Sequence, residues 1–221
     1  MSTAIEAVLL AGILICSCGA QKARSKSIVL WTPPDIGWPP DLPMSTFPTI
    51  PKEMIRSFRI GNMPIIFEET KLSDVQKHFG GTIGNHGDAG DSLAWLCFQG
   101  QDAGKPWVFW VTSGEIEGLT SVGGFQWRFL APPERPDHRC TLIPSDEHGI
   151  ELPLPLHLGL TKAEVRQVVG RPTRARDDAL FFLHEHQEPD HEGTSNLWNS
   201  ITVVFREGVA SVIEADKSTT D

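Results

Sequence analysis

The chain has 221 residues, enough for one large domain or two small ones, and its 40% hydrophobic and 21% charged composition excludes disorder throughout. The formal net charge of −9, with no run of Lys or Arg, leaves no basic footprint for neutralising phosphates and points away from nucleic acid. An acidic surface chiefly keeps such a chain soluble.

Residues 7–18 carry no charge, end in small residues and are followed by Gln21-Lys22-Ala23-Arg24. The run is too short to span a bilayer but suits the apolar core of a secretory signal. Ile15-Cys16-Ser17-Cys18 resembles the bacterial lipoprotein signal, in which an aliphatic residue and two small ones precede the cysteine that is lipidated. That resemblance implies a signal segment over 1–17, a lipid on Cys18 and anchoring in the envelope, on the periplasmic side of the outer membrane. Cleavage after Ala20 would instead leave a soluble periplasmic protein. With Cys16 and Cys18 set aside, Cys97 and Cys140 remain as an even pair. They are either a disulfide, as an oxidising compartment permits, or two buried thiols.

Residues 18–54 form a Pro-rich tether, with Pro33-Pro34 and Pro39-Pro40 as doublets. Proline fixes φ and removes backbone donors, so this stretch runs extended. Trp31, Ile36, Trp38, Leu42 and Phe47 are too apolar for a solvated linker, so part of it is expected to lie on the folded body.

Two similar units are expected next, at 55–130 and 152–221, with a connector over 131–151. In the first, Thr70 is placed to cap a helix whose Leu72, Val75 and Phe79 share a face, and Gly80-Gly81 ends it. Strands are expected at 93–99, 107–112, 116–119 and 125–129. In the second, Thr161 and Glu164 form a capping box, Val165, Val168 and Val169 make the apolar face, and Gly170-Arg171-Pro172 stops the helix. Strands follow at 179–184, 200–205 and 209–213, the last two joined by Glu207-Gly208. The echo of Thr70-Lys71-Leu72-Ser73-Asp74-Val75 in Leu160-Thr161-Lys162-Ala163-Glu164-Val165 marks a duplicated unit. The expected fold class is therefore α+β, as two tandem repeats, each a short helix on an antiparallel sheet.

The segment from Leu160 to Val165 with Gly170-Arg171-Pro172-Thr173, followed by a hairpin of the Val204-Phe205-Arg206-Glu207-Gly208-Val209 kind, resembles small outer-membrane assembly lipoproteins of the BamE or SmpA/OmlA type. Two such modules in tandem resemble the β-lactamase inhibitory protein. The resemblance implies an exported binding or assembly module without catalysis, which holds a protein partner in the cell envelope and no cofactor. If the N-terminus is not processed, a cytosolic inhibitor or immunity-type protein is the alternative.

Both faces of the first set of strands are apolar, since Trp95 and Cys97 alternate with Leu96 and Phe98, and Trp107 and Phe109 with Val108 and Trp110. Such a sheet is covered within the chain or by a partner, so Trp95, Trp107, Phe109 and Trp110 are the candidate partner surface. His184, His186 and His191, among acidic neighbours, are the densest set of metal-ligand types and carry the alternative of a metal-binding or small hydrolytic protein. Their spacing matches no zinc signature. No nucleophile elbow, metalloprotease helix or phosphate-binding loop is present.

Overall fold

The computed structural model describes residues 27–36, 55–87, 92–143, 149–189 and 194–220, with 186–189 and 194 described through their backbone alone. In chain order these residues form β1 (Ile28–Leu30), β2 (Ser57–Ile60), β3 (Met63–Ile66), helix α1 (Leu72–Phe79), β4 (Gly84–His86), β5 (Leu93–Asp102), β6 (Lys105–Gly114) and β7 (Gly124–Phe129). There follow β8 (Glu134–Pro136), β9 (Thr141–Leu142), β10 (Ile150–Glu151), helix α2 (Lys162–Val169), β11 (Arg174–Ala175), β12 (Ala179–Pro189), β13 (Thr194–Arg206) and β14 (Val209–Thr220).

One large sheet dominates, in the order β11-β12-β13-β14-β7-β6-β5-β4, with β9 added in parallel to β5. Neighbours along the main order are antiparallel. This corrects the expected α+β pair of helix-on-sheet repeats. The fold is mostly β, with two eight-residue helices among the described residues, because β7 pairs with β14 in register and makes one sheet of what the duplicated phrase suggests are two. Neither set of strands has a free edge at that junction. The expected connector is likewise drawn into pairing, since β8 lies beside β1, β9 beside β5 and β10 beside β2.

The local elements follow from turn and cap chemistry. Ala103-Gly104 joins β5 to β6 and Glu207-Gly208 joins β13 to β14, each with positive φ at both positions (46° and 79°, 52° and 82°). That is the mirror-image turn whose twist matches the flanking strands. At α2, Thr161 and Glu164 complete the reciprocal capping box. At α1 the expected cap is corrected: Lys71 holds the N-cap position without a side-chain bond. Thr70 turns away, its Oγ1 accepting from the Ile66 amide at 2.9 Å. The Leu72 amide is satisfied instead by the Thr120 carbonyl at 2.8 Å, from a turn where a strand over 116–119 is expected.

Both helices pack on the same face of the sheet, together with the small sheet β10-β2-β3. Val75 and Val165 are fully buried in one continuous core with Phe58, Phe67, Phe109 and Phe125, whose rings meet at 5.1–6.3 Å where they tilt or meet edge to face and at 5.2 Å where Phe109 stacks on Phe125. The opposite face carries a second, smaller core of Trp95, Cys97, Val108, Trp110, Leu130 and Cys140. Leu30 and Trp31, from the segment 27–36, cover it.

Candidate functional site

The segment 27–36 crosses the face opposite the helices and is tied to it at several points. β1 runs parallel to β8, the Trp110 indole Nε1–H donates to the Trp31 carbonyl at 2.8 Å, and the Gln126 Nε2–H donates to the Pro34 carbonyl at 2.9 Å. Trp31 meets Trp95 edge to face at 5.8 Å and has the Arg139 guanidinium 4.1 Å over its ring. Arg139 is itself held by Asp137, whose carboxyl it keeps down at about 2.

Beyond Trp31 this cover gives way to a cleft of about 660 Å³ at the centre of the sheet, where β6, β7 and β14 lie side by side. Its walls include Pro33, Pro34 and Asp35 from the crossing segment, Glu115 and Glu117 from the turn after β6, Gln126 from β7, and Glu214 and Asp216 from β14. Strand alternation explains why these residues converge. Ile213 and Ala215 face the aromatic core, so Glu214 and Asp216 face the other way, across from Gln126 and Gly124 in the β7–β14 register.

Small residues make room for the carboxylates. A Cβ on Gly123 would lie 2.6 Å from Glu117 Cδ, and one on Gly124 would collide with Asp216 Oδ1. Glu117 Oε2 accepts from the Gly114 amide at 2.9 Å, and Glu214 Oε2 accepts from Gln126 Nε2 at 2.6 Å. Gln126 is 2% exposed, yet its Oε1 accepts no hydrogen bond among the described residues.

The electrostatics are those of crowded acids. Burial pushes Glu214 up to about 7, against the favourable bond from Gln126 and with the Asp35 charge adding to the rise. Burial, then Glu214 and Glu117, hold Asp216 well above the usual carboxylate range. Glu117 is also raised, by burial first, with its backbone bonds opposing and Glu68 adding. Among the described lining residues there is no Lys or Arg, and His86 is the one side chain there able to carry positive charge. Nearby Arg128 is committed to Glu134 at 2.8 Å, and Lys217 on the opposite face to Glu68.

The residues singled out from sequence lie elsewhere. Trp95, Trp107, Phe109 and Trp110 are at most 5% exposed and form the two cores, so the expected display of aromatic sheet is corrected: the chain covers both faces of these strands itself. Cys97 and Cys140 are joined by a disulfide, with their Cα atoms 4.5 Å apart, which fastens the residues after β8 to β5. His184 is half-buried on β12 and remote from the cleft lining. The His186 side chain, His191 and Cys18 lie outside the described residues, as does the segment 1–17. Among the described residues no group of three or more His, Cys, Asp or Glu side chains is arranged to hold a metal ion, and no helix is long and apolar enough to cross a membrane.

Sequence reasoning missed Asp35, Glu117, Gln126, Glu214 and Asp216. The available signal was the alternation that continues past Ile213, where Glu214 and Asp216 interleave with Ala215. Comparison with protein-family models, with curated proteins and with solved structures finds no match.

Proposed function

We propose that this chain is an exported, non-catalytic binding module of the cell envelope, anchored through Cys18, which holds a protein partner by receiving a lysine or arginine side chain in the acidic cleft. The observation that carries the reading is the convergence of Glu117, Glu214 and Asp216 around one cavity with no Lys or Arg among its described lining residues. Ionised, these carboxylates repel one another in a poorly hydrated site. A guanidinium or ammonium group would relieve that repulsion and bring charge-assisted hydrogen bonds, including one to the unpartnered Gln126 Oε1. The charge-free run over 7–18 and the Ile15-Cys16-Ser17-Cys18 pattern support export, and the Cys97–Cys140 disulfide agrees with an oxidising compartment. The resemblance of the Leu160–Thr173 segment to envelope assembly lipoproteins supports a role in holding another protein.

The test is calorimetric titration of the protein at pH 8 with an arginine-centred tripeptide and with its neutral citrulline counterpart. The arginine peptide is expected to bind and the citrulline peptide to fail, with binding lost in the Glu214→Gln, Asp216→Asn double variant. Equal behaviour of the two peptides, or no heat from either, overturns the reading.

A hydrolytic reading draws on a single observation. Glu214, pushed up to about 7 beside further carboxylates, is poised where a general acid or base works best.

A further inference from the structure

The segment 31–35 touches the cleft through three kinds of contact, and only one of them carries a charge. Trp31 is fixed by packing and by the Trp110 indole, and Pro34 is fixed by Gln126. Asp35 instead brings a charge to the cavity that also holds Glu214. Gln126 is the hinge of the arrangement, because its one Nε2 group donates both to the Pro34 carbonyl and to Glu214 Oε2. A change in the charge of Glu214 is therefore felt directly by the group that holds the segment down.

We propose that residues 31–35 form a proton-governed strap: it stays seated while the Glu214 carboxyl is protonated, and lifts when Glu214 ionises beside Asp35, opening the acidic cleft to its ligand. Other charged or titratable groups face Glu214 from each neighbouring element. They are Asp216 on its own strand, Glu115 and Glu117 on the turn after β6, and His86 on β4. Three of these four are carboxylates, so ionisation around Glu214 adds repulsion rather than a substitute partner. Arg128, further along β7 on the same face, stays with Glu134 and does not reach over.

The direction with pH follows from which form holds the proton. The seated strap buries Glu214 and sets Asp35 near it, and both effects raise its pKa, to about 7 from an ordinary 4.5. The seated form therefore binds a proton that the lifted form releases. Seating is at full strength below the ordinary carboxyl range, weakens as pH rises from there and is weakest above about 7. Gln126 works against this trend, because its bond favours the ionised carboxylate.

The inference concerns regulation of the cleft and rests on the binding reading for its purpose, but the strap is tested without ligand, so either can fail alone. The measurement is hydrogen exchange of the Trp110 indole proton, followed by NMR from pH 5 to 8 and corrected for the intrinsic rate. Protection is expected to fall by at least about tenfold across the interval, which covers most of the span from 4.5 to about 7. Glu214→Gln should hold it flat. Asp35→Asn, which leaves the sheet untouched, should reduce the fall and end it at lower pH, because without that charge the Glu214 carboxyl of the seated form is raised less. Wild-type protection that does not change with pH overturns the proposal, as does a Glu214→Gln variant that loses protection like the wild type.

Discussion

Where β7 meets β14, the two faces of one sheet are opposite in character although their residues alternate along the same two strands. Towards the helices the junction presents Phe125, Trp127, Ile213 and Ala215, all buried in the aromatic core. Away from them it presents Gln126, Glu214 and Asp216, with Gly124 making the space. The first face is closed by side chains that need nothing further. The second is closed only in part, by Pro33, Pro34 and Asp35, and it keeps carboxylates whose mutual repulsion no Lys or Arg among the described lining residues cancels. A period of two is enough to place stability on one side and recognition on the other.

A pair of substitutions at this junction should separate the two roles. Phe125→Ala removes a ring that meets Phe58, Phe67 and Phe109, and is expected to destabilise the fold by about 4 kcal/mol in denaturant unfolding. Glu214→Gln on the facing side should cost little below pH 6 and stabilise the fold by about 2 kcal/mol at pH 8, where the buried carboxylate would otherwise be ionised. Similar losses from both variants at pH 8 would erase the distinction.

The helix starts offer a smaller contrast of the same kind. Thr161 caps α2 through Glu164, whereas Lys71 gives α1 no side-chain acceptor. Thr161→Ala is expected to lower stability by about 1 kcal/mol and Lys71→Ser to raise it by less than that, both read from denaturant midpoints. A Lys71→Ser variant as costly as Thr161→Ala would mean that α1, whose Leu72 amide already bonds the Thr120 carbonyl, gains nothing from a side-chain acceptor at its start.

How much of this could be read beforehand differs between levels of structure. The α2 capping box, the apolar helix faces and the Glu207-Gly208 turn depend on neighbours within a few positions, and the residue types alone carry them. The joining of β7 to β14 depends on a contact between Phe125 and Ala215, far apart in the chain, and the local phrase repeated at Thr70 and Thr161 suggests separate units instead. The aromatic strands were legible as apolar on both faces. What covers the second face is the 27–36 segment, which Trp31 and Ile36 mark as too apolar for a solvated linker, but where it sits depends on hydrogen bonds from Trp110 and Gln126 to its carbonyls, which leave no mark in the sequence. The cleft was lost for a simple reason: Glu214 and Asp216 read as a solvated acidic stretch, and only the pairing with β7 makes them half-buried lining of a cavity.

The carboxylate face itself is tested most directly by the titration of Glu214, followed through its side-chain carboxyl carbon by NMR in the full chain. A midpoint near 7 is expected, falling towards the ordinary range when the arginine-centred peptide is bound. A midpoint at about 4.5 in the free protein would mean that this side chain is fully hydrated and that no acidic cleft of the kind described exists.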